Sequence, residues 1–548
     1  MDSKLLTLWH QVESGPAKMS DLSNLLGLSI KQTTRYLHKW HDEGWLLYQG
    51  GVGRGRPSEI KWLKNVEEVF EKIVQEKMVN GSIEECARLL LFDWSRDCKL
   101  RLMKTFQGRL GYGQDHEDRL IIPRKRPFLT THPLEACDVH SANLVANIFD
   151  RLVFTDEDGL IYPGLSHSWE HDETKLRLYL RKDVKFHDGS ILTAEDVCNC
   201  LNKMRSHPYY ELMWSPIAEI IARGPLVADI LFHYPCSYAP HLLSVLGASI
   251  YKETGGQING TGSFYIERNN EVKTVLHAFK EHYKERSLLD VIEYVQVPKD
   301  FENIYRSGAP SKTNETFKVD SDYGFGVAIF NHYRDSDIAR PEVREYIHYQ
   351  VAKHRRELSE IDMSVHPNEC GVFPGFSKPY VMAERHCPPI SRPLKLQVTS
   401  YTRSAGAWAQ EILSKNGCPV ELVPVSFEDT LNNGLDDQGC DFFFHGEVFE
   451  INQVFSFFQF LFAGSSPLHK VLGTCVDKAA CLKRYAMTPV SDWMELHLSI
   501  ERLLNESSLM IPLYFSKKSF LFTEDIMNVK TKYFGHADFS KLWMKPTI

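Results

Sequence analysis

Residues 184–204 read VKFHDGSILTAEDVCNCLNKM. The short apolar run Lys175-Leu-Arg-Leu-Tyr-Leu180 predicts a strand leading into them. His187-Asp188-Gly189-Ser190 predicts a turn, because Asp-Gly suits backbone positions with positive φ. Thr193 stands at an expected helix N-cap, where its hydroxyl accepts from a free N–H. Glu195 and Asp196 would then face the positive end of the helix from its first turn. The stretch is therefore a strand–turn–helix unit.

The rest of the chain bounds what such a unit belongs to. At 548 residues it exceeds one core, so two to four domains are expected. Hydrophobic content of 43% and charged content of 24% are those of a folded globular protein. The net charge of −8 argues against general nucleic-acid affinity, but the charge is uneven. Residues 1–113 hold 17 Lys and Arg against 14 Asp and Glu, a net of +3, and the remainder is net −11. The twelve cysteines include no Cys-x-x-Cys pair and read as reduced thiols. The opening MDSKLLTLWHQVESGPAKMSDL lacks the basic and apolar regions of a signal peptide, and no run reaches the length of a membrane span. A cytoplasmic protein with no membrane contact is expected.

The wording of 184–204 closely resembles the Phe-His-Asp-Gly-x-x-Leu-Thr-Ala-Glu-Asp-Val block of the peptide-type solute-binding proteins of ABC importers. Four further blocks resemble that family in the same order. They are Val139–Leu152, Gly260-Thr-Gly-Ser-Phe-Tyr265, Pro512-Leu-Tyr-Phe515 and Asp538-Phe-Ser-Lys-Leu-Trp543. The resemblance spans roughly residues 119–548. It implies a two-lobed α/β periplasmic-binding-protein-like fold over 114–548, with a small subdomain inserted in the first lobe. Lobe I would take about 114–267 and 512–548, and lobe II about 268–511.

The first hundred residues predict something else. Leu5, Leu8, Trp9 and Val12 recur at helical spacing. Ser20 would cap a short second helix, and Ser29 a third, IKQTTRYLHKWHDEG. Short helix, tight turn and longer helix make a helix-turn-helix. Strands at 45–48 and 58–63 then flank Gly50-Gly-Val-Gly-Arg-Gly-Arg-Pro57, a glycine-rich hairpin tip. Residues 1–64 are thus read as a winged helix-turn-helix and 65–113 as a helical connector. Lys31, Gln32, Thr34, Arg35 and Lys39 fall on the outer side of the third helix, and Arg54 and Arg56 arm the wing. Gln pairs bidentately with adenine and Arg with guanine, while Lys, Thr and wing arginines hold phosphate or enter the minor groove. Double-stranded DNA is the expected partner.

The family resemblance also implies pocket residues. Asp138 and Val139 precede the first pocket helix, and Tyr401 follows the strand Leu394–Val398. In peptide-binding relatives a Gly-Trp-x-Ala-Asp-Tyr-x-x-Pro segment supplies an acid for the peptide amino terminus. Here the segment reads Gly446-Glu-Val-Phe-Glu-Ile-Asn-Gln-Val454. Glu450 keeps the acid, but Glu447 replaces the tryptophan and Val454 the proline. The small-molecule ligand is therefore a sugar, a sugar phosphate or a peptide, undecided by these residues.

No phosphate-binding loop, nucleophile elbow or His-Glu-x-x-His motif occurs, so neither catalysis nor a cofactor is expected. His167 and His171 lie in a turn-to-strand stretch where spacing four does not share a face, so no metal site is expected there. A winged helix fused to a cytoplasmic solute-binding fold resembles the SgrR-type transcriptional regulators, which implies control of sugar transport and sugar-phosphate stress. The competing reading is a cytoplasmic peptide or sugar binder without DNA function. Target promoters, activation or repression, and oligomeric state stay open.

Overall fold

The computed structural model describes residues 1–51, 57–114, 117–298, 304–305, 316–362, 365–433, 439–464, 466–523, 526–529, 531–532 and 536–545. Its N-terminal module is α1 (Ser3–Gln11), β1 (Gly15–Ala17), α2 (Met19–Leu26), α3 (Ile30–Asp42), β2 (Leu46–Gln49) and β3 (Ser58–Trp62). The three strands form one antiparallel sheet in the order β1-β3-β2. Strand β1 was not expected from sequence. Nor does Ser20 cap α2: the helix starts two residues earlier, Lys18 holds the cap position, and the Ser20 hydroxyl donates to Asp21 instead. Ser29 does cap α3, in a reciprocal capping box with Gln32.

The connector consists of α4 (Val66–Asn80), α5 (Ile83–Leu90) and α6 (Arg96–Gln107). The last two are separate helices. The chain breaks at residues 91–95, where the Trp94 indole donates 2.8 Å to Leu89 O and Ser95 caps α6. Strand β4 (Gly111–Gln114) follows and pairs with β5 (Asp118–Arg124), carrying the chain into lobe I. There α7 (Val139–Ile148) and the β6–β7 hairpin (Val153–Thr155, Ile161–Pro163) precede the inserted sheet. That sheet has the order β10-β11-β9-β8, built from β8 (Ser166–His171), β9 (Lys175–Leu180), β10 (Ile217–Gly224) and β11 (Val227–Phe232), with α8 (Ala194–Arg205) against it.

The opening stretch 184–204 is the joint of this lobe. Val184 and Phe186 are buried, Gly189 takes φ +83°, and Thr193 caps α8 in a capping box with Asp196. His187 N donates 2.9 Å to Gly260 O, and its Nε2 lies 3.1 Å from Gly262 O. Burial pushes the His187 pKa down to about 4. A Cβ on Gly260 would stand 2.1 Å from Ile148 O, and one on Gly262 2.5 Å from Ile148 C, so only glycine lets this turn close on the end of α7. Three sequence blocks far apart in the chain thus meet at one point.

Beyond α9 (Ala239–Leu242) and the β12–β13 hairpin (Lys252–Thr254, Gln257–Asn259), β14 (Phe264–Asn269), β15 (Lys273–Ala278) and β16 (Val291–Gln296) complete the lobe I sheet in the order β14-β15-β16-β5-β4. This corrects the expected passage to lobe II at residue 267. Asn270 Oδ1 accepts from Val272 N and Lys273 N, turning the chain back, and β16 returns parallel to β5.

The second sheet runs β17-β23-β18-β22-β20-β21, from β17 (Ile304–Tyr305) and β18 (Thr316–Phe330) to β23 (Met510–Thr523), with β19 (Val365–Pro367) on β23. Pro512 lies inside β23, so the expected return at 512 also moves past residue 523. Between these come α10 (Pro341–His354), α11 (Leu358–Ile361), β20 (Leu394–Val398), α12 (Arg403–Lys415), β21 (Val420–Pro424), α13 (Phe427–Asn433) and β22 (Phe442–Val448). Helices α14 (Gln453–Phe462), α15 (Leu468–Cys475), α16 (Lys478–Met487) and α17 (Trp493–Glu506) then precede β23.

Two seams join these parts. Strands β5 and β16 are covered on both faces. Leu120, Ile122, Ile292 and Tyr294 enter the main core, whereas Ile121, Val295 and Val297 enter the core of the N-terminal module and connector. That second core runs unbroken from Leu5 and Trp40 through Phe70 and Leu102 to Val297. At its edge Glu84 accepts 3.0 Å from Arg268 and lies 3.5 Å from Lys273 Nζ, which is itself 2.9 Å from the buried Glu293. At the other seam, Tyr238 of lobe I sits in an aromatic group with Phe458 and Trp493, at 4.9 and 5.6 Å between ring centroids. Ser237 N donates to Ala486 O, and Gly464 N to Tyr209 O, both at 2.8 Å.

Candidate functional site

Two sites emerge. The first is the outer face of α3. Thr33, Leu37 and Trp40 are buried against the module, which turns Lys31, Gln32, Arg35 and Lys39 to solvent. Thr34 is half-buried and its hydroxyl donates 2.9 Å to Ile30 O. Gln32 Oε1 accepts from Ser29 N and Oγ, so its carbonyl serves the cap and its amide N–H₂ is the end directed at base edges in any DNA contact. Lys39 Nζ stands 3.8 Å from half-buried Asp2 and from exposed Glu43. Arg54 and Arg56 lie outside the described residues.

The second is the cleft between the lobes. Asp138 is buried as the N-cap of α7, accepting from His140 N and Ser141 N. The same Oδ1 accepts 2.7 Å from Arg126 Nη2. Val139 opens the helix, half-buried. Across the cleft, Tyr401 is 63% exposed with its ring 5.2 Å from Phe427. The Arg126 guanidinium lies 5.0 Å over that same Phe427 ring, a cation–π contact bridging the two lobes.

Glu447 and Glu450 reach the cleft from the end of β22 and the loop after it. Glu447 Oε2 is 2.8 Å from His445 Nε2. Glu450 Oε2 is 3.9 Å from Nη1 of the buried Arg151 in lobe I. Burial pushes the Glu450 carboxyl up, opposed by Arg151 and by the Leu246 backbone. Cys137 is water-accessible yet walled in by protein, as a side chain lining a cleft is. Desolvation, then the negative charges of Asp138, Glu447 and Glu135, push its thiol up to about 12. Lobe I residues 126, 137–139 and 151 therefore face lobe II residues 401, 427, 447 and 450.

Sequence reasoning missed Arg126, Arg151, His445 and Phe427. Arg151 was in view inside the Val139–Leu152 block, but nothing local assigns it to Glu450. Arg126 reads as one more charge in a basic loop, and its pairing with Asp138 has no periodicity to betray it. Among the described residues no cluster of His, Cys, Asp or Glu could hold a metal ion, and no helix is long and apolar enough to cross a membrane.

The molecule is, by its architecture, a winged-helix module built onto a two-lobed solute-binding fold. Residues 3–110 match the family described as sugar transport-related sRNA regulator N-term, and residues 161–304 match bacterial extracellular solute-binding proteins, family 5 middle. The HTH-type transcriptional regulator SgrR of Photorhabdus laumondii is 24% identical over 100% of this chain and 99% of its own. The uncharacterized protein YhjP of Bacillus subtilis is 27% identical over half of each chain, and SgrR of Yersinia pestis 25% over 63% of this chain and 64% of its own. Among solved structures, Helicobacter pylori DppA, in complex with the peptide STSA, superposes with a TM-score of 0.64 at 17% identity, covering 80% of this chain and 99% of that one. Bacillus subtilis AppA, in complex with a nonapeptide, does so at 0.64 and 15%, covering 80% and 100%. These two share the fold. With both domains in this order, the chain is similar over its whole length to the SgrR-type fusions.

Proposed function

We propose that this protein is a cytoplasmic, ligand-responsive transcriptional regulator, not an enzyme. It binds double-stranded DNA through Lys31, Gln32, Thr34, Arg35 and Lys39 of α3, with Arg54 and Arg56 on the wing, and senses a small solute between its lobes. Asp138, Val139, Tyr401, Glu447 and Glu450 are the ligand-facing set. The observation that carries the reading is the shared core of module, connector and lobe I, which makes the exposed α3 face a fixed extension of one wall of the cleft. The domain order and the relatives' description as regulators support it. Genes of sugar transport or sugar-phosphate stress are the proposed targets.

In this mechanism ligand acts by its differential affinity for two arrangements of lobe II against the rest. Coupling of about 1.4 kcal/mol suffices to change DNA occupancy tenfold. The test is fluorescence anisotropy of full-length protein on DNA upstream of its own gene, at two salt concentrations. Sequence-selective, salt-sensitive binding is expected, and Lys31→Ala with Arg35→Ala should weaken it and make the salt slope shallower. Absence of binding at low salt would sink the regulator reading.

A further inference from the structure

The charge partners of the cleft say what kind of ligand it takes. Three carboxylates reach it, and each already has a partner from this chain. Asp138 accepts from Arg126 and from two backbone N–H groups, Glu447 faces His445, and Glu450 faces Arg151. A ligand ammonium would share these carboxylates with partners that the chain already supplies.

The donors are less well served. Arg126 spends Nη2 on Asp138, while its Nε and Nη1 are shielded from solvent and have no hydrogen-bond partner among the described residues. Phe427 lies beneath the guanidinium and offers a π face but no oxygen lone pair. Buried guanidinium N–H groups gain most from a charged acceptor, and a guanidinium matches phosphate or carboxylate with two parallel bonds.

We infer that Arg126 is the ligand-recognition residue of the cleft and that it takes an oxyanion, phosphate or carboxylate, inserted at the Arg126–Phe427 contact. This rests on the reading of the cleft as the ligand site. It also gives the ligand a reason to part or reset the two lobes, since the oxyanion would replace a contact that now bridges them.

The experiment is isothermal titration calorimetry of the full-length protein with four probes: inorganic phosphate, citrate, D-glucose and tetra-alanine amide, which carries an ammonium and no carboxylate. Binding of phosphate, citrate or both is expected, and which of them binds separates the two sources of the anion. Arg126→Met should weaken that binding about tenfold or more, the loss of a charge-assisted hydrogen bond. A thermal midpoint for each variant checks that it folds, and Arg126→Lys, with charge but no fork, should give an intermediate loss. Oxyanion binding undiminished in Arg126→Met would overturn the inference. Binding of tetra-alanine amide alone, lost in Glu447→Gln, would overturn it while keeping the cleft as the ligand site. Silence from all four probes would overturn both.

Discussion

The two seams of this molecule are built from different materials. Between the N-terminal module and lobe I the seam is a continuation of a core: Val295 and Val297 are fully buried beside connector side chains, and the pairs of Glu84 with Arg268 and Lys273 sit at its edge. Between the lobes the seam is split. At one end Tyr238, Phe458 and Trp493 pack as a core does, while at the other charged and aromatic groups meet singly, Arg126 on Phe427 and Arg151 near Glu450. A dry, close-packed seam has one good arrangement, because shifting it opens voids. A seam of single polar contacts can exchange them for ligand or water at small net cost. The first seam suits a fixed platform for the α3 face, and the polar end of the second suits a part that responds.

The sharpest break in that comparison is Val295→Asp. A carboxylate placed in the apolar seam beside buried Glu293 should cost about 4 kcal/mol, read by urea denaturation. Module and lobe I should lose stability in one transition; a separately melting N-terminal module would refute the shared core. Next is Glu450→Ala, which removes the acid facing buried Arg151 and should cost about 3 kcal/mol. That loss should leave affinity for DNA of the unliganded protein unchanged, since it falls in the other seam.

A third test uses acid. The His187 pKa lies at about 4 in the fold against 6.5 for an ordinary histidine, because burial disfavours its charged form. The unfolded chain therefore binds more protons between those values, and stability should fall as pH drops from 6.5 toward 4. His187→Asn should flatten that slope. DNA binding and ligand binding should fail together as lobe I loosens, because the joint at His187 belongs to the body that both seams share. The smallest effect belongs to the rim: Glu84→Ala should cost about 0.5 kcal/mol, less at high salt, because Arg268 is largely exposed. A larger loss would mean that the rim pairs, and not the apolar contact, hold the module in place.

Much of this was legible one residue at a time. The capping boxes of Ser29 with Gln32 and of Thr193 with Asp196 involve groups three residues apart, and the positive φ at Gly189 is a property of the Asp-Gly pair. The five blocks resembling solute-binding proteins placed the lobes in order. The lobe boundaries were misjudged because β14, β15 and β16 are ordinary strands whose membership of a sheet depends on β5, far earlier in the chain. The cleft was half legible: Asp138, Glu447 and Glu450 were named, but their partners Arg126, His445 and Arg151 were not.

What the sequence by itself determined is therefore local: where helices start and turn, which faces are apolar, and the order of module, connector and lobes. Caps, turns and periodicity act within about one helical turn or one strand repeat, so neighbouring residues suffice to specify them. Only the tertiary structure decided that Ile121 and Val295 look into one core while Leu120 and Ile292 look into another. It alone brought Arg126 over Phe427 and Arg151 to Glu450. Those contacts join residues distant in the chain, and their energy comes from burial and from pairing in a low-dielectric seam that exists once both walls have formed.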